Sequence, residues 1–233
     1  MRHTALPLLA LAAALSAPAT HPADVTEVHV KDNELHYVGE LDGDANKRLF
    51  ALYDSLGNKP TVLSIRSGGG PVQHGMELGE WVHAHKLDVK VLELCASSCA
   101  NYVFTAGGRK IVGNTAVIGY HGGLSSMSFS ITGGEAMSRQ QKDAVMAEVR
   151  KGMAPQLQRE EAFFTSIGVR QDITTWGQQA RFKPILDAND VGVWTYTQEG
   201  FHRFGVDGIE VIDPPWTPKS PTKKKDIVAL EAP

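Results

Sequence analysis

The chain has 233 residues, 26 acidic against 23 basic side chains, a formal charge of −3 and 42% hydrophobic residues. That size supports one domain with a sizeable core, and the near balance of charge, without a basic stripe, argues against a nucleic-acid partner. With two cysteines, Cys95 and Cys99, the chain has too few thiolates for a closed zinc site.

The N-terminus reads as a processing signal. Met1-Arg2-His3 is weakly basic, Leu6 to Leu15 is a short apolar run, and Ala17-Pro18-Ala19 fits a small-x-small cleavage site. The run is shorter than the ~20 residues a bilayer needs. Residues 1–19 are therefore expected to be a cleaved signal peptide, residues 20–213 the folded domain, and the mature protein periplasmic or secreted.

Along that domain, Val25 to Val30 and Leu35 to Val38 alternate like two strands around a Lys31-Asp32-Asn33 turn. Leu49, Leu52, Tyr53 and Leu56 mark an amphipathic helix stopped by Gly57-Asn58. Thr61 to Ile65 is a buried strand that runs into Ser67-Gly68-Gly69-Gly70-Pro71. A helix over 73–84, a strand over 89–94 and a helical segment from Ser98 to Thr105 follow. Short strands over 110–112 and 116–120 lead to His121. The repeat of strand, glycine turn and helix implies parallel pairing and an α/β architecture.

Residues 122–134 are rich in Gly and Ser and read as a flexible loop. Residues 135–167 read as a long helical region with breaks at Gly152 and Pro155. A turn over 187–190, a strand over 191–196, a helix over 198–204 closed by Gly205 and a strand over 206–212 complete the domain. From Pro214 to Pro233 the Pro- and Lys-rich composition reads as a disordered tail.

Two segments carry chemistry. The glycine run can bring backbone N–H groups close to a reacting oxygen, and Cys95-Ala96-Ser97-Ser98-Cys99-Ala100 sets serines among small residues at a strand-to-helix turn. A serine needs a base to take its proton and donors to receive the oxyanion. His121, at the end of an apolar strand, lies where parallel sheets place their sites. Ser98 is the candidate nucleophile, His121 the base, and the N–H groups of Gly70 and Cys99 the oxyanion donors. Cys95 and Cys99 are four residues apart, so export permits a disulfide, while two buried thiols packed around the turn remain an equal alternative. His74, His83, His85 and His202 fall on helical segments and read as surface or packing residues.

These motifs resemble the ClpP peptidase family within the ClpP/crotonase superfamily. Residues 67–76, SGGGPVQHGM, are similar to that family's Ser-Pro-Gly-Gly-x-Val-x-x-Gly-Met segment, and Ala96 to Ala100 with Ala106-Gly107 to its nucleophile segment. Ile118-Gly119-Tyr120-His121 is similar to its histidine segment, Tyr37 to Leu41 to its opening strand, and Thr197 to Val206 to its closing helix. The resemblance implies a single-domain ClpP/crotonase-like spiral of strand-strand-helix units. It places the nucleophile at Ser98 and implies a serine peptidase or ester hydrolase with no cofactor.

It further implies peptides or unfolded segments as substrates and a homo-oligomer. No ATP-dependent unfoldase is expected outside the cytoplasm. The family's orienting acid falls at Val193, where no acid stands; Asp190, three residues earlier, is assigned the third place, with Asp187 as its alternative. A Ser-Lys dyad through Lys142 is the alternative mechanism. A catalytically weak or inactive binding or scaffold protein on the same fold is the alternative function.

Overall fold

The computed structural model describes residues 25–127, 135, 137–189, 192–223 and 225–233. The expected signal peptide over 1–19 and most of the Gly/Ser-rich loop lie outside them. The chain opens with a hairpin, β1 (Glu27–Lys31) and β2 (Glu34–Val38), turned by Asp32 and Asn33 in left-handed conformations at φ 51 and 58. Helix α1 (Gly43–Ser55) begins where the Asp42 carboxylate accepts the N–H groups of Asp44 and Ala45, and buries Ala45, Leu49 and Tyr53. Strand β3 (Val62–Arg66) alternates buried Leu63 and Ile65 with outward residues.

The glycine run then leads into α2 (Val72–Ala84), which buries Met76, Leu78 and Val82. The expected single strand over 89–94 is two strands in two sheets. β4 (Asp88–Val91) pairs with β3, and after exposed Leu92 and Glu93 the chain turns into β5 (Leu94–Ala96). A helix over Cys99–Phe104, wound as a π-helix, carries the chain back across α2 to β6 (Lys110–Gly113) and β7 (Val117–Gly119). Gly75 and Gly79 permit that crossing, because a methyl group at either would stand within 2.8 Å of Ser98 Cβ or the Tyr102 carbonyl oxygen.

Helix α3 (Arg139–Ile167) runs unbroken through Gly152 and Pro155. Proline removes one backbone bond inside a helix, at a cost of ~3 kcal/mol. The Ser138–Gln141 capping box at one end and left-handed Gly168 at the other secure the remaining turns. The expected turn over 187–190 is instead the end of α4 (Lys183–Asn189). β8 (Thr195–Tyr196), α5 (Gln198–Arg203) and β9 (Ile209–Ile212) follow.

The main sheet has the order β1-β2-β3-β4-β6-β9, antiparallel only between β1 and β2. A second parallel pair, β5 with β7, joins the first through a bridge between Ser67 and Cys95. The fold is thus a single α/β domain with a parallel-rich sheet. No helix of the described residues is long and apolar enough to cross a membrane.

The tail corrects the sequence expectation of disorder. Trp216 stacks on Phe201 and donates from Nε1 to the Ala116 carbonyl oxygen, 2.8 Å away. Ile227 and Leu230 are buried, and β10 (Ala229–Leu230) pairs in parallel with β8. The Pro- and Lys-rich composition concealed apolar residues that fill space beside α5. Deleting residues 214–233 is expected to lower the urea midpoint clearly, and Leu230→Ala alone to cost about 2 kcal/mol. An unchanged midpoint on deletion would mean that the tail contributes nothing.

Lys110 is the unusual side chain on the core face of the sheet. It is 5% exposed, its amine makes no hydrogen bond or ion pair among the described residues, and burial lowers that amine to about 8 against the weaker opposing pull of Asp207 and Asp88. The folded state therefore releases this proton before the unfolded state does, and stability rises with pH from about 8 to about 10. Lys110→Met should raise stability by about 2 kcal/mol at pH 7 and flatten that rise in denaturant titrations.

Candidate functional site

The site begins with strand register. β5 and β7 are parallel neighbours with Ala96 opposite Gly119. The residues that leave their C-terminal ends, Ser97 and His121, therefore emerge side by side. Ser97 N–H donates to the Gly119 carbonyl oxygen at 2.8 Å, and the Asn101 N–H donates to the Ser97 carbonyl oxygen at 2.8 Å. Between these two bonds Ser97 adopts φ 57. That is a left-handed conformation that costs a side-chain-bearing residue about 1–2 kcal/mol. It forms a sharp elbow from strand to helix that raises the Ser97 hydroxyl above the sheet.

His121 Nε2 lies 2.7 Å from Ser97 Oγ. This corrects the assignment of Ser98. The Ser98 side chain is 1% exposed, its hydroxyl donates to the Gly70 carbonyl oxygen at 2.8 Å, and it accepts the Gly70 N–H at 2.9 Å. Ser98 thus ties the glycine run to the elbow instead of facing the base. The Gly70 N–H, expected to receive an oxyanion, is occupied by that contact. Cys99 N–H is one residue removed from the position directly after Ser97, which belongs to Ser98. The first main-chain bond of the helix is that from Asn101, so the N–H groups of Ser98, Cys99 and Ala100 precede it at the helix start.

The glycine run fits closely against the elbow. Gly69 has φ 104, and a methyl group there would stand 2.7 Å from Ser97 Cβ and 2.8 Å from the Ala96 carbonyl oxygen. Gly69 N–H is taken by Ser67 Oγ at 3.1 Å, whereas Gly68 N–H has no partner among the described residues.

Cys95 and Cys99 are joined in a disulfide, and both are fully buried. The bridge straddles Ser97 symmetrically, two residues on either side. The sequence offered no signal for choosing Ser97 over Ser98, since a bridge across the turn encloses both. Behind the elbow, Tyr102 donates to the buried carboxylate of Glu160 at 2.6 Å, and Gln171 Nε2 donates to its other oxygen at 2.7 Å. Burial, followed by the adjacent Glu160 charge, pushes the Tyr102 hydroxyl well above its usual range.

The His121 ring lines two cavities of about 380 Å³ each. One also contains Ser97, Pro71, Val72, Asn101 and Met127, and among the described residues His121 is its only ionisable side chain. The other contains Leu186, Asp187, Gly192, Val193 and Trp194. Val193 therefore shares a cavity with the imidazole, but it brings a hydrocarbon against Gly119. The Asp187 carboxylate is paired with Lys183 Nζ at 2.7 Å and does not bond His121. Asp190 lies outside the described residues. Lys142 is exposed in the first turn of α3 and makes no side-chain bond to either serine. Among the described residues no carboxylate bonds His121, and no group of three or more His, Cys, Asp or Glu could hold a metal ion.

No protein-family model matches the chain, and no curated protein matches it. Among solved structures it is similar to the Mtb enoyl-CoA isomerase in its apo form, at 14% identity and a TM-score of 0.30 over 40% of this chain and 53% of that one. It is similar to an enoyl-CoA hydratase from Mycobacterium avium subsp. paratuberculosis K-10, again at 14% identity and a TM-score of 0.30, over 41% of this chain and 50% of that one. The chain thus spans about half the length of these two structures.

The disulfide closes a small loop, for which the chain-entropy relation gives about 2 kcal/mol. The Cys95→Ala/Cys99→Ala variant is expected to lose about that much in urea unfolding. Equal midpoints for the two proteins would show that the elbow holds its shape without the bridge.

Proposed function

We propose that the protein is a serine hydrolase of the ClpP/crotonase superfamily that acts on peptide or ester bonds, with Ser97 as nucleophile and His121 as base. The observation that carries this reading is the 2.7 Å contact between His121 Nε2 and Ser97 Oγ at a strand-to-helix elbow. With the imidazole proton on Nδ1, Nε2 accepts the hydroxyl proton as Oγ attacks an acyl carbonyl carbon. The same nitrogen then returns the proton to the leaving amine or alkoxide, and water repeats the cycle on the acyl-enzyme. The oxyanion is received at the start of the helix, where the Ser98 N–H follows the nucleophile directly.

Among the described residues, His121 is the one ionisable side chain lining the cavity beside Ser97, which suits an uncharged acyl group. On this reading the protein is exported, works without ATP or an unfoldase, requires no cofactor, and takes peptides or unfolded segments as a homo-oligomer. One observation favours a second reading, a binding protein with weak catalysis: Val193 occupies the wall behind His121 where an orienting carboxylate would serve. Loss of such an acid can cost ~10⁴ in rate.

Labelling by a fluorophosphonate probe separates the two. Wild type should label, Ser97→Ala should not, and Ser98→Ala should retain labelling. His121→Ala should react at least ~10²-fold more slowly. Labelling that survives Ser97→Ala would overturn the assignment of Ser97 as nucleophile, and none in the folded wild type would overturn the hydrolase reading in favour of the binding protein.

A further inference from the structure

The two members of the dyad lie just past the C-terminal ends of separate strands, and His121 is exposed at the head of a glycine loop. A histidine in that position needs something to fix its main chain. In the absence of a carboxylate among the described residues, the bonds around the loop reveal what does so. Asn101 Nδ2 donates to the Gly122 carbonyl oxygen at 2.9 Å, and Gln178 Nε2 donates to the His121 carbonyl oxygen at 3.2 Å. Two primary amides from different elements thus hold two consecutive carbonyl groups.

Asn101 also reaches the other member of the dyad. Its main-chain N–H binds the Ser97 carbonyl oxygen at 2.8 Å, while its own carbonyl oxygen is held by Thr105 Oγ1 at 2.7 Å. One residue of the π-helix therefore touches the main chain of the nucleophile and that of the loop beside the base. It is 2% exposed, and its Oδ1 is buried without a partner among the described residues. Leaving that oxygen unsatisfied costs about 1–3 kcal/mol, which the fold accepts at this one asparagine of the site. The Gln178 arm depends on glycine, since Gly122 has φ 146 and a methyl group there would stand 2.6 Å from Gln178 Nε2.

We infer that Asn101 is the positioning residue of the Ser97–His121 dyad, with Gln178 as its second arm, their amides fixing the main chain that carries the imidazole. This rests on the hydrolase reading. The amides act on the main chain and leave Nδ1 untouched, so they set the direction of the imidazole without stabilising its charge. Displacement of a reacting group by about 1 Å can cost ~10²-fold.

The test compares Asn101→Leu and Gln178→Met with wild type, each also in a His121→Ala background. The readouts are fluorophosphonate inactivation rates across pH, thermal midpoints, and long-range ¹H–¹⁵N NMR of the His121 ring. Asn101→Leu is expected to lower the maximal inactivation rate by 10- to 100-fold with little change in probe affinity, and Gln178→Met by less. Neither should slow the His121→Ala protein further, because both act through that ring. The ring spectrum should move from the pattern of one held tautomer to an averaged one in Asn101→Leu.

Equal losses in both backgrounds would assign Asn101 to the fold or to Ser97, and overturn the inference. So would a labelling wild type whose rate is unchanged by Asn101→Leu. A wild type that does not label defeats the hydrolase reading itself. The ring spectra then decide the clamp alone: a shift on Asn101→Leu upholds it, and coincident spectra overturn it.

Discussion

The hydrogen bond from Ser97 N–H to the Gly119 carbonyl oxygen is the contact on which the site depends. It is the last rung of the short β5–β7 ladder, and it fixes how far the two strands run before each leaves the sheet. With Ala96 opposite Gly119, the next residue of one strand and the second of the other become neighbours. A slip of one residue would turn the serine to the opposite face and separate it from the histidine. The glycine run, the helix start and the two amide donors are arranged around that one rung.

Several interactions hold the elbow in a conformation its own backbone does not favour. The disulfide joins its two flanks, and the Ser98 hydroxyl binds both polar groups of Gly70. Gly75 and Gly79 allow α2 to press against the π-helix behind it. Each contact is worth roughly 1–2 kcal/mol, comparable to the cost of the left-handed serine. The strained residue is thus over-determined by its surroundings, the condition under which such geometry persists at functional sites.

The sequence made much of this legible. Alternating Leu63 and Ile65, the helical spacing around Leu49 and the glycine run gave the strands, helices and the location of the site. It did not distinguish Ser97 from Ser98, because the difference is the sign of one backbone dihedral, which neither composition nor periodicity records. The break between β4 and β5 was hidden because Leu92 continues an apolar run while standing exposed. Pro155 misled in the other direction, since a long helix can lose one bond and continue. Asn101 carried no signal at all: its importance comes from contacts 4 and 21 residues away in the chain, created by the turn of the π-helix and the return of β7.

The pairing of β10 with β8 has a consequence for the order of events during synthesis. Trp194 backs the histidine strand through its two bonds to Tyr120, and the next residue, Thr195, donates its N–H to the Val228 carbonyl oxygen. The wall behind the base is therefore finished by Val228 and β10. Synthesis must pass residue 230 before that wall can close. The serine turn is made long before then, so the reactive pair lacks this wall until β10 arrives.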